Sequence, residues 1–224
     1  MSDPTPVDVS SEDDTLALCR VMAAQGLSVT DSQVVLLAQY CRLLWDWNSR
    51  LNLTRHTDWQ LFVTRDLLDT IRLAEHIPQR ADVLDVGSGG GVPGIVLAIL
   101  RPDLKVSLCE SVGKKAVALK SIVESMNLPV EVHADRAENL LKRHRFQLVT
   151  MRAVGSISKA LGWFLHVWGA VGQLLLIKGP RWIDEHAEAQ LDGSLKHRKL
   201  EQISSWSTPG RDAQSVLLRI TKEK

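Results

Sequence analysis

No apolar run in this chain reaches the length of a membrane span, because each long candidate is interrupted by Gly, Pro or Lys. Cysteine is scarce: Cys19, Cys41 and Cys109 are widely separated, odd in number and contain no C-x-x-C pair. That excludes a disulfide framework and predicts buried, reduced thiols in a cytoplasmic protein. The opening MSDPTPVDVSSEDD is acidic and lacks the basic-then-apolar order of a secretory signal. There is no H-E-x-x-H, no Ser-His-Asp order and no cluster with metal-ligand spacing, so no metal and no hydrolytic triad are expected. Internal repeats and low-complexity blocks are missing as well.

Net charge is also nearly absent, at +1, yet it is unevenly distributed. Five acids and no bases fall in the first fourteen residues, leaving 27 bases against 21 acids in the body of the chain. A modestly basic body is compatible with an RNA partner without requiring one. The 224 residues, 45% of them hydrophobic, suffice for one generous domain with an extension. Residues 1–11 are expected to form an acidic, disordered tail.

Residues 12–78 read as a helical extension. Leu16, Cys19, Val21 and Met22 lie at helical spacing, and Val34, Leu36, Leu37, Tyr40, Cys41, Leu44, Trp45 and Trp47 form a stronger stripe. Asp31 is the expected cap of that second helix. Residues 47–54 break it with polar, turn-prone side chains, and a third helix is predicted from about Asp58 to His76. No Pro/Gly-rich linker follows, so the helices should pack on the domain formed by residues 79–224. There the pattern alternates strand and helix, with short apolar strands at 83–86, 105–109, 130–133, 148–150 and 172–177, as in a parallel sheet covered on both faces. Two alternating segments, 199–206 and 215–221, flank Thr208-Pro209-Gly210 and predict a terminal antiparallel hairpin.

The organising stretch is Val83-Leu84-Asp85-Val86-Gly87-Ser88-Gly89-Gly90-Gly91-Val92-Pro93-Gly94-Ile95. A strand stops, a glycine cluster follows, and an apolar helix begins: the unit that seats a nucleotide-like ligand on a helix N-terminus. Asp85-x-Gly87-x-Gly89-x-Gly91 resembles the first motif of Rossmann-like, class I S-adenosylmethionine (SAM) methyltransferases. A G-x-G-x-x-G also fits at Gly89–Gly94, but counted from Gly87 the third glycine of a dinucleotide fingerprint would fall on Val92, which disfavours NAD.

Glu110 ends the next strand about twenty residues on, where an acid accepts from both ribose hydroxyls of a bound adenosine. The plainer alternative is an exposed acid paired with Lys114 or Lys115. His133-Ala134-Asp135-Arg136-Ala137-Glu138 lies where such sheets meet the adenine edge, although Asp135 and Glu138 also fit a helix capping box. Thr150-Met151-Arg152-Ala153 ends a strand over the cleft and contains no Asn/Asp-Pro-Pro-aromatic motif for orienting an exocyclic amine. Arg152 cannot act as a base near neutral pH. The acceptor should therefore need no deprotonation, as is true of guanine N7, and no acid/base residue is assigned; a surface salt bridge is the simpler role for Arg152. Lys178 is a candidate for phosphate or base contact, or a solvated strand end. Arg65, Asp66, Asp69 and Arg72 read as a solvated, paired helix face, and Lys142, Arg143, His144 and Arg145 as a soluble loop with some capacity for RNA phosphate.

Several motifs then occur in order: Trp47-Asn48, Leu51-Asn52-Leu53-Thr54, Arg65-x-Leu67-Leu68-Asp69, Asp85 to Ile95, Glu110-Ser111-x-x-Lys114-Lys115, Arg136-Ala137-Glu138 and Met151-Arg152-Ala153. Together, over about residues 35–180, they resemble the bacterial ribosomal RNA small-subunit methyltransferase G family, also called glucose-inhibited division protein B. The resemblance implies transfer of a methyl group from SAM to guanine N7 in the decoding-region loop of 16S rRNA, by a cytoplasmic monomer acting on the rRNA or the small subunit. It implies cofactor contacts at Asp85, Gly87, Gly89, Gly91, Val92, Glu110, Ala137, Glu138 and Arg152, and RNA contacts at Arg65, Lys114, Lys115, Arg152 and Lys178. Two positions depart from the family pattern. Asp66 stands where the family carries histidine, and Gly90 where it carries Pro or Ala, so a more pliable loop is expected. The alternatives are a SAM methyltransferase with a protein or small-molecule substrate, a non-catalytic RNA- or ribosome-binding module with a relict cofactor site, and, remotely, a NAD-dependent oxidoreductase.

Overall fold

The computed structural model describes residues 12–210 and 212–223; the acidic tail expected at residues 1–11 lies outside them. Two long helices come first, α1 (Glu12–Ala24) and α2 (Asp31–Asn48). Thr30, not Asp31, caps α2: its hydroxyl accepts from Gln33 N–H while the Gln33 side chain accepts from Thr30 N–H. A Thr one residue outside the helix reaches the N–H of the third helical residue, Gln33, whereas Asp31 is already inside the helix. The third helical segment is α3 (Trp59–Leu61), a π-helical stretch Phe62–Leu67, and α4 (Leu68–Ala74), run together without a break. Its wide central turn is a feature that apolar periodicity does not announce.

Seven strands then form one sheet: β1 (Asp82–Val86), β2 (Lys105–Cys109), β3 (Glu131–His133), β4 (Phe146–Arg152), β5 (Val171–Lys178), β6 (Arg198–Ser207) and β7 (Gln214–Lys222). Their order is β3-β2-β1-β4-β5-β7-β6, parallel through β5 and antiparallel from β5 to β7 and from β7 to β6. The connecting helices are α5 (Gly94–Leu100), α6 (Gly113–Ser125), α7 (Ala137–Leu140), α8 (Ile157–Phe164) and α9 (Trp182–Leu191). Among the described residues, no helix is long and apolar enough to cross a membrane.

Successive strand residues enter opposite cores, which is why the strands read as apolar throughout. Val83, Leu148 and Leu175 face one cluster with α5, α6 and the N-terminal helices, while Leu84, Val149 and Leu174 face the other with α7, α8 and α9. The N-terminal helices thus share a core with the sheet: Leu18, Leu37, Leu44, Phe62 and Leu73 are fully buried in the first cluster. Asp14 of α1 is locked to Arg42 of α2 by an ion pair. Of the cysteines, Cys41 and Cys109 are buried and Cys19 is exposed, so the expectation of three buried thiols fails at α1, where Cys19 faces outward.

Candidate functional site

The loop after β1 is held at nearly every residue. Gly87 N–H donates to Cys109 O at 2.9 Å, Gly91 N–H to Ser88 O at 2.6 Å, and Gly89 N–H to Glu110 Oε2 at 2.9 Å. Tyr40 of α2 donates its hydroxyl to Gly90 O at 2.8 Å. The three consecutive glycines are therefore tethered from two sides. Gly87 has φ +72°, and a Cβ there would lie 2.6 Å from Val154 Cγ1, so both conformation and space demand glycine.

Asp85 lies under this loop rather than facing the cleft. Its Oδ1 accepts from Thr150 Oγ1 at 3.1 Å and its Oδ2 from Gly94 N–H at 3.2 Å, which anchors the start of α5 to β1 and β4. Burial pushes the Asp85 carboxyl up to about 6, against the hydrogen bonds from Ser88, Thr150 and Gly94. Gly91, with φ +102°, packs below on Ile95 and likewise supports the loop from inside.

Three cavities run along the C-terminal ends of the strands, the edge at which open α/β sheets take ligands. The first, about 260 Å³, is lined by Val86, Gly87, Cys109, Ser111, Asp135–Glu138 and Trp163. The second, about 270 Å³, includes Thr54, His56, Asp66, Gly87–Gly90, Val92, Lys115 and Arg152. Asp69, Arg152, Ala153, Lys178–Arg181 and Ser215 line much of the third, about 350 Å³. Gly87 borders the first two cavities, and Arg152 with Ala153 borders the last two, so they form one continuous cleft.

Ala137 and Glu138 stand at the start of α7 in the first cavity, but not through the capping box that the sequence suggested. Arg136 occupies the cap position with no side-chain bond, because Asp135 turns its Oδ1 to Arg136 N–H and to Asn139 Nδ2 instead. Glu110 does not pair with Lys114 or Lys115; its Oε1 accepts from Val112 N–H at 2.8 Å and its Oε2 from Gly89 N–H. Each carboxylate oxygen keeps a further lone pair for a ribose hydroxyl.

Arg152 is the centre of the other end. With 16% of its side chain exposed, it donates Nη1–H to Asp66 Oδ1 at 2.6 Å and approaches Asp69 Oδ2 through Nε at 3.1 Å. Burial works against its charge, yet the Asp66 and Asp69 carboxylates more than offset it and raise the guanidinium above its ordinary value. The solvated helix face expected for Asp66 and Asp69 is corrected: both are buried, 2% and 8% exposed, because the π-helical stretch and α4 turn them into the sheet. Arg152 is correspondingly no surface salt bridge. His56 Nδ1 also contacts Asp66 Oδ1, at 2.8 Å, and Trp206 of β6 donates Nε1–H to Asp69 Oδ1 at 2.9 Å. Ala153 follows in the left-handed region, φ 55°, a conformation that costs a non-glycine residue about 1–2 kcal/mol and sets the chain's exit from β4 at the cleft.

The candidate RNA contacts separate. Lys178 is no solvated strand end, since Nζ reaches Glu185 Oε2 at 2.5 Å and Gly155 O at 2.6 Å with 12% of its side chain exposed. Arg65 crosses to the β6–β7 turn and donates to Pro209 O at 3.2 Å. Lys115 enters the second cavity, whereas Lys114 is exposed beside it and lines none of the three. Near the far end of α7, Arg143 pairs with Asp135 and Arg145 donates to Gly169 O. Sequence reasoning missed Tyr40, His56, Asp66, Asp69, Trp163 and Ser215 as cleft or loop residues; only the Asp66 departure from the family's histidine gave a signal. Among the described residues, no group of His, Cys, Asp or Glu is placed to hold a metal ion.

A parallel sheet with this order, a C-terminal antiparallel pair, and a glycine loop facing an acid at the end of β2 define a class I SAM-dependent methyltransferase. The O-methyltransferase of Bacillus cereus, solved with S-adenosylhomocysteine, superposes with a TM-score of 0.59 at 18% identity, over 94% of this chain and 99% of that one. The ribosomal protein L11 methylase of Lactobacillus delbrueckii subsp. bulgaricus superposes with a TM-score of 0.54 at 12% identity, over 71% and 79%.

The chain belongs to the rRNA small subunit methyltransferase G (GidB) family, whose model matches residues 33–214. It is 49% identical over 181 residues to ribosomal RNA small subunit methyltransferase G of Rhodopirellula baltica, covering 81% of this chain and 78% of the relative. The enzyme of the same name from Chromobacterium violaceum is 35% identical over 207 residues, covering 92% and 97%.

Proposed function

We propose that this chain transfers the methyl group of SAM to N7 of a guanine in the decoding-region loop of 16S rRNA, as a cytoplasmic monomer acting on the rRNA or the small subunit. The observation that carries this reading is the family match over residues 33–214, which takes in every cleft residue named above except Ser215. The residues present fit the cofactor: Gly87 keeps the loop free of a Cβ where it borders the first and second cavities, and Glu110, bonded to Gly89 N–H of the same loop, keeps lone pairs for ribose although it lines neither cavity. In this reading Ala137 and Glu138 read the adenine edge, Gly87, Gly89 and Val92 border the methionine end, and Asp85 and Gly91 position the loop from beneath.

Bound SAM supplies a methyl group made electrophilic by its sulfonium. The protein's part is alignment. Arg152 and Ala153 line both the second cavity and the third, so a base entering the third would approach the end of the second where the methyl group would be held. Guanine N7 would bond the methyl carbon through its free lone pair as the methyl–sulfur bond breaks, S-adenosylhomocysteine leaving with that electron pair, so these residues need supply no base to remove a proton first. Arg152 keeps its charge between two carboxylates and takes no proton. Lys114, exposed at the edge of the cleft, supplies charge for the RNA backbone, while Lys115 lies inside the second cavity.

The test is transfer of labelled methyl from SAM to unmodified small subunits, followed by mapping of the label. Label on one decoding-region guanine N7 is the expected result. Measurable SAM binding with no label on any RNA would overturn the substrate and leave the cofactor standing.

A further inference from the structure

Asp66 carries an acceptor that the protein does not use. Its Oδ1 takes both the Nη1–H of Arg152, at 2.6 Å, and Nδ1 of His56, at 2.8 Å. Its Oδ2 is buried and has no hydrogen-bond partner among the described residues, although the side chain is only 3% exposed. A buried carboxylate oxygen left unmet is costly, and such an atom in a cleft calls for a donor from outside the chain. Asp66 lines the second cavity together with Gly87–Gly90, Val92 and Lys115.

We infer that Asp66 holds the α-ammonium group of the methionine end of SAM, with Oδ2 as the acceptor. The route is fixed by the loop: Gly87 borders both the adenosine-sized first cavity and this one, so the chain of atoms leaving the ribose leads toward Asp66. The charges suit an amino acid, since the cavity is lined by one carboxylate with a buried, unpartnered oxygen and by one lysine, Lys115, for the ligand's own carboxylate. His56 and Arg152 act as positioning residues, because both engage Oδ1 and thereby fix which oxygen remains open. The inference rests on SAM as the cofactor and not on the identity of the methyl acceptor.

The test is calorimetric titration of the full chain with three ligands. They are S-adenosylhomocysteine, its analogue with hydrogen in place of the α-amino group, and 5′-methylthioadenosine, which lacks the amino-acid end. Wild type should bind S-adenosylhomocysteine at least roughly tenfold more tightly than the desamino analogue, the scale of one charge-assisted hydrogen bond. In Asp66→Asn, which is isosteric and keeps an Oδ1 acceptor, that gap should shrink below about threefold, with 5′-methylthioadenosine affinity unchanged. Equal weakening of all three ligands would mean a merely structural role and would overturn the inference. So would equal affinity of wild type for S-adenosylhomocysteine and the desamino analogue, a comparison that needs no variant to fold. Failure of wild type to bind any of the three would instead count against the cofactor itself.

Discussion

The two ends of the cleft are built in opposite ways. At the glycine loop, the key contacts join residues close in sequence or on adjacent strands: Gly91 to Ser88, Gly94 to Asp85, Gly89 to Glu110. At Arg152, the ion pairs and the indole bond join distant segments: Asp66 and Asp69 from the N-terminal helices, Arg152 from β4, and Trp206 from β6. The loop end is a backbone device, shaped by conformations that only glycine adopts easily. The Arg152 end is a side-chain device, in which buried charge is tolerated because it is paired. Local geometry can be deleted one residue at a time, whereas a buried charge cluster fails as a unit.

The strongest way to break this contrast is Arg152→Met. It strands Asp66 and Asp69 without their cation and should cost about 3–5 kcal/mol in urea unfolding, the penalty for removing one partner of a buried pair. The triple variant with Asp66→Asn and Asp69→Asn should recover much of that loss, because no uncompensated charge remains. If the triple variant is as unstable as the sum of its parts, the cluster is not acting as a unit.

The same contrast explains what could be read beforehand. The strands, their order of appearance, the terminal hairpin and the glycine loop all follow from local pattern and were legible. So was the position of Ala137 and Glu138 at the cleft edge of the sheet, which follows from their place just after β3. Asp66 and Asp69 were not legible, because charges three apart on a helix read as a solvated face until a π-helical turn and a distant arginine bury them. Lys178 was misread for a similar reason: Glu185, its partner, lies on α9 and sits beside β5 only in the folded chain. Caps shifted by a residue where two polar side chains competed, as at Thr30 and Asp31.

A second prediction sharpens the loop side by pH. Asp85 titrates at about 6 in the folded protein, above the ordinary carboxylate value, so the native state binds this proton more tightly than the unfolded chain. Its proton-linked stabilisation is present below about pH 4 and is lost as pH rises through about 6, an expected change of about 2–3 kcal/mol. Asp85→Asn cannot titrate and should lack this component. The stability of wild type relative to Asp85→Asn, measured by urea unfolding across that range, should therefore fall with rising pH. Parallel curves would show that Asp85 is solvated and not the buried strut its contacts describe.

The smallest expected effect tests a long-range bond on the loop side, from an N-terminal helix. Tyr40 sits on α2, fully buried, and its hydroxyl reaches Gly90 O at 2.8 Å, so an N-terminal helix holds the tip of the glycine loop. Burial raises the phenol well above its ordinary value, so the hydroxyl remains a donor throughout the working pH range. Tyr40→Phe keeps the ring and its packing on Phe62 while removing the donor. The expected loss is about 1 kcal/mol in stability, with SAM affinity lowered about threefold because the loop is no longer fixed before the ligand arrives. Both should be read on the same variant, by thermal unfolding and by calorimetry. A stability loss with unchanged SAM affinity would mean that the loop is set by β1 and β2 alone, and that α2 serves the core without serving the site.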